Sequence, residues 1–73
     1  NRPVAALVYQ RRLHYINLFM WPAGQAGSTG EVAIQRQGYN VIHWTDSGMN
    51  YWAISDLNGV ELHEFARLVQ QGP

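Results

Sequence analysis

The chain has 73 residues, enough for one small domain, and contains no cysteine, which rules out disulfides and thiolate metal sites. Five arginines balance two aspartates and three glutamates and lysine is absent, so the positive excess that nucleic acids and anionic membranes attract is missing. No apolar run approaches the roughly 20 residues that cross a bilayer, and no segment reads as a signal peptide.

Residues 1–3 (NRP) read as the tail of a turn, and residues 4–9 (VAALVY) as a short apolar strand. The polar QRR at 10–12 suits a hairpin connection. Residues 14–21 (HYINLFMW) form a second strand, with His14, Ile16, Leu18 and Met20 on one face and Tyr15, Asn17, Phe19 and Trp21 on the other. Because both faces are largely apolar, the pattern predicts a strand covered on both sides. Pro22, with no amide to give a ladder, ends it.

Residues 23–30 (AGQAGSTG) read as a connector; the lysine and spacing of a phosphate-binding P-loop are absent. A strand over 31–36 (EVAIQR) follows, then Gly38 as a bulge or turn. Residues 39–45 and 49–55 form a hairpin around the compact turn Asp46-Ser47-Gly48. Asn58 is placed to cap a helix, with Glu61 in capping-box position and Leu57 and Leu62 as the flanking staple. Leu62, Phe65, Ala66 and Val69 recur at helical spacing, with Leu68 beside them, opposite Glu61, Glu64 and Arg67; Gly72-Pro73 stops the helix. The pattern predicts an α+β domain: an antiparallel meander of four to five strands with one C-terminal amphipathic helix packed on it.

Three groups of residues could carry chemistry. His14, His43 and His63 lack any metal-ligand spacing, so neither a metal nor a cofactor is expected. His43, Asp46 and Ser47 are the residue types of a hydrolytic triad, but Asp and Ser are also ordinary turn residues, and a chain this short has little room for a pocket. Trp44, Tyr51 and Trp52 could stack bases, but only Arg11 and Arg12 are clustered as cations, so a cross-strand pair between Trp44 and Trp52 is expected instead.

The wording of several stretches carries a resemblance. Residues 2–9 (RPVAALVY), 16–22 (INLFMWP), 38–40 (GYN), Trp44 and 51–58 (YWAISDLN) resemble the extracytoplasmic C-terminal domain of bacterial transmembrane anti-sigma factors. The likeness spans nearly the whole chain except the loop at 23–30. Its motif positions, mainly structural, are Asn17, Trp21, Pro22, Asn40, Trp44, Tyr51, Trp52, Ser55, Asp56 and Asn58. The resemblance implies a single periplasmic sensor-type domain over 1–73, the C-terminal part of a larger periplasmic region. Its parent would be a single-pass inner-membrane protein whose cytoplasmic region sequesters an extracytoplasmic-function sigma factor. The role implied is regulatory rather than enzymatic. The partners would be the parent's transmembrane and cytoplasmic regions, with the membrane reached only through an anchor outside this segment. The opening turn would normally follow another strand, so a homodimer through an open sheet edge is also expected. The rival reading is a β-rich protein–protein interaction module unrelated to transcription.

Overall fold

The computed structural model describes residues 4–24 and 27–72. The turn read at 1–3, the motif residue Arg2 and the stop at Pro73 lie outside those residues, as do positions 25 and 26 of the connector. Five strands and one helix follow in order: β1 (Ala5–Arg11), β2 (His14–Pro22), β3 (Thr29–Arg36), β4 (Tyr39–Asp46), β5 (Met49–Ser55) and α1 (Gly59–Gln71). The strands form one antiparallel sheet in the order β1-β2-β5-β4-β3, with the helix packed on it, an α+β domain.

Three tight turns make the hairpins. Gln37-Gly38 and Ser47-Gly48 each place two successive residues at positive φ (51° and 85°, 51° and 79°), the backbone that matches the twist of paired strands. The first hairpin turns at Arg12-Leu13 rather than at 10–12, with Arg12 at φ 56°. Only β3, β4 and β5 follow one another as neighbours after the first hairpin; β5 then pairs with β2, Leu18 opposite Ala53 and Phe19 opposite Trp52. The described ends of the β2–β3 connector are tied to the β4–β5 turn: Ala23 N–H donates to Gly48 O (2.8 Å) and Gly48 N–H to Gly27 O (3.1 Å).

Alternation along the strands gives the sheet two faces. On one, Ile16, Leu18, Ile42, Trp44 and Ala53 are buried beneath Leu57, Leu62 and Ala66, with Met20, Tyr51, Phe65 and Val69 packed around them. The helix starts where the sequence puts it. Asn58 Oδ1 accepts from Glu61 N–H (2.9 Å), its Nδ2 donates to Glu61 Oε2 (3.0 Å), and Leu57 and Leu62 are fully buried. Gly72, at φ 73°, closes it with its N–H on Val69 O. Leu68 does not join the apolar stripe; it is 61% exposed.

Candidate functional site

The second face of the sheet is the feature that needs explaining. Among the described residues, the cover expected on both sides of β2 is present on one side alone, because α1 spans only the first face. Toward solvent the sheet presents Val8 from β1, Phe19 and Trp21 from β2, Trp52 and Ile54 from β5, and Val41 from β4. At the β1–β2–β5 end, Val4, Phe19, Trp21, Trp52 and Ile54 line a shallow apolar groove of about 370 Å³. An antiparallel sheet with one solvated face normally alternates apolar-in with polar-out. This one does not, and patches of this kind mark interaction surfaces.

The rim is polar. At one end Thr45 Oγ1 donates to Asn50 Oδ1 (2.8 Å); at the other stand Gln10, Arg36 and the phenols of Tyr15 and Tyr39. Inside the rim the polar side chains are Asn17, which is exposed, and His43, which is half-buried. No carboxylate lies on this face among the described strand residues.

The aromatic rings decide what the face can do. His43 and Trp52 are directly opposite on neighbouring strands, stacked at 4.2 Å with planes 7° apart. Trp21 stacks on the other side of Trp52, at 6.3 Å and 28°. Neighbouring strands are about 4.8 Å apart, so rings stacked across that gap stand upright and turn their edges to solvent. One face of the Trp52 indole is thus taken by His43, and Trp21 flanks the other at an offset beside the groove. The edges suit an apolar partner packed broadly over them.

The expected Trp44–Trp52 pair does not form. The two rings lie on opposite faces: Trp44 is buried under the helix and stacks on Tyr51 (5.2 Å, 7°), while Trp52 pairs with His43 on the open face. The β4–β5 turn holds two residues instead of three, and one residue of register moves every following side chain to the other face.

The triad residues are likewise separated. His43 is stacked on Trp52, whereas Ser47 Oγ donates to Asp46 Oδ1 (3.2 Å) and the same carboxylate accepts from Ser28 Oγ (3.2 Å). Each histidine goes to a different neighbour: His14 Nδ1 lies 2.8 Å from Asp56 Oδ1, and His63 Nδ1 lies 2.7 Å from Glu31 Oε1. Among the described residues no three metal-ligating side chains converge.

The motif positions separate by what they touch. Asn40, Ser55 and Asn58 set the path from β5 into the helix, while Asp56 between them makes an exposed pair with His14. Ser55 Oγ donates to Tyr15 O (2.7 Å) and accepts from Leu57 N–H (3.1 Å), and Asn40 Nδ2 donates to Leu57 O (2.7 Å). Trp44 and Tyr51 fill the core side; the Trp44 Nε1–H is buried with no hydrogen-bond partner. Asn17, Trp21 and Trp52 belong to the open face, and Pro22 ends β2 opposite Met49. The breadth of that face was missed by sequence reasoning. Its signal, two apolar faces on β2, was present, but Val8, Val41 and Ile54 join it only through strand order.

No known protein family, no curated protein and no solved structure matches the chain. No helix among the described residues is long and apolar enough to cross a membrane.

Proposed function

We propose that this chain is a non-catalytic regulatory domain on the periplasmic side of a membrane-bound anti-sigma factor. There it receives a signal or partner that changes how the parent holds its extracytoplasmic-function sigma factor. The observation that carries the reading is how the resembling stretches come together. Residues 5–9, 16–22 and 51–58 are far apart in sequence, yet they occupy β1, β2, β5 and the start of the helix, one contiguous block. Asn40 and Trp44 adjoin that block from β4. β3, where no motif position falls, lies at the opposite edge. A likeness confined to scattered words would not collect in this way. The separation of His43 from Asp46 and Ser47 supports a role without catalysis.

The test is genetic. The segment is deleted from its full-length parent in the native host, and transcription is recorded from promoters of the sigma factor encoded beside it. A change in output at normal parent level is expected. Unchanged output, with the shortened parent present, would leave the rival reading: an interaction module unrelated to transcription, which the uncovered apolar face favours.

A further inference from the structure

We propose that the open face binds the same face of a second copy of this chain, forming a two-fold sandwich of two sheets with the helices outside. Four observations favour this occupant.

The first is area. Five strands about 4.8 Å apart and roughly seven residues long, at about 3.3 Å per residue, make a face of roughly 24 by 23 Å. Two copies would cover about 1,100 Å² between them even as flat footprints, above the roughly 1,000 Å² a specific interface needs. The second is charge. The chain is neutral overall, and among the described residues this face carries a single cation, Arg36, at a corner, so two copies meet with little like-charge repulsion across its centre. The third is anatomy. An apolar centre at Phe19, Trp52, Ile54 and Val41 inside a rim of Thr45, Asn50 and Gln10 is the layout of an interface core and its border. The fourth is ring orientation, since upright rings with outward edges can interdigitate with a like set about 10 Å away, the spacing at which two sheets pack.

Edge-to-edge pairing through β1 is the competing geometry. β1 carries no charge before Arg11, and every residue before it is exposed, whereas β3 is guarded by a bulge between Thr29 and Val32 and by Glu31 and Arg36. Pairing along β1 would leave the aromatic face in water, so face pairing accounts for more of the surface.

Association is measured by sedimentation from about 1 µM to about 1 mM chain, alongside tryptophan emission at each concentration. Trp44 is buried in the single chain, so any emission change on dissociation reports Trp21 and Trp52. Expected are a dimer, a shift of emission to longer wavelength on dilution, and a dissociation constant raised about tenfold or more by Asn17→Glu. Asn17 is exposed, so this variant keeps the far-ultraviolet dichroism of the parent chain; Val8→Glu, also at an exposed site, serves as the second variant. A monomer throughout the range overturns the proposal. So does a dimer that ignores both substitutions and dissociates with unchanged emission, which would be edge pairing. The inference stands on the face alone, and transcription in the deletion experiment reports on the regulatory reading separately.

Discussion

Replacing Ser55 with alanine removes one oxygen and should cost far more than a surface change. Its hydroxyl is buried and joins three segments, donating to Tyr15 O in β2 and accepting from Leu57 N–H just before the helix. Leu57 is fully buried, so its N–H would be left without a partner, a cost of about 1–3 kcal/mol. The bond to Tyr15 O adds a net loss of about 0.5–1.5 kcal/mol. Ser55→Ala should therefore destabilise by about 2–4 kcal/mol. A domain of this length holds about 4–11 kcal/mol in total, so the loss is a large share of it. At about 4–8 °C per kcal/mol, Tm should fall by roughly 8–32 °C. Urea and thermal unfolding followed by far-ultraviolet dichroism measure both quantities. Asp56→Ala next door is the control; it breaks only the exposed pair with His14 and should cost less than about 1 kcal/mol. A Ser55→Ala loss no larger than that of Asp56→Ala, at equal denaturant slope, would refute the claim that this hydroxyl fixes the path into the helix.

Other substitutions test separate parts of the fold. Trp44→Ala empties the centre of the core and should cost about 3–5 kcal/mol, leaving a chain close to unfolded at 37 °C by thermal melt. Two glycines should respond with opposite signs. Gly59→Ala, at the helix start with nothing near its Cβ, should gain up to about 1 kcal/mol, while Gly38→Ala, at φ 85°, should lose about 1–2 kcal/mol; denaturant midpoints compare them directly. Glu61 accepts from Arg11 (3.2 Å), Arg12 (2.8 Å) and the cap residue Asn58 with its side chain only 14% exposed. Glu61→Ala should cost about 1–2 kcal/mol, and part of the gap to the parent chain should close in 1 M salt, where charges are screened beyond about 3 Å.

Local structure was legible because its causes are local. Period-two alternation marked the strands, glycine in the left-handed region marked the turns at Gly38 and Gly48, and Asn58 with Glu61 marked the helix start. The capping residues satisfy backbone groups within three positions of themselves, so no distant partner is needed to read them. The turn at 46–48 was legible in place but not in length. That single residue decided whether Trp44 and Trp52 share a face, since the side-chain period of a strand is two.

Only the tertiary structure decided which strands became neighbours. β5 enters between β2 and β4, a pairing of residues more than 25 positions apart that no local pattern encodes. That choice lines Phe19 up with Trp52 and brings Trp21 and His43 to either side of it. The helix, one element laid over a five-stranded sheet, then covered one apolar face and left the other open. The sequence by itself determined that both faces of β2 were apolar. Which of them met the helix depended on strand order and on where Ser55 and Asn40 aim the chain, because burial is a property of the assembled sheet rather than of any one strand.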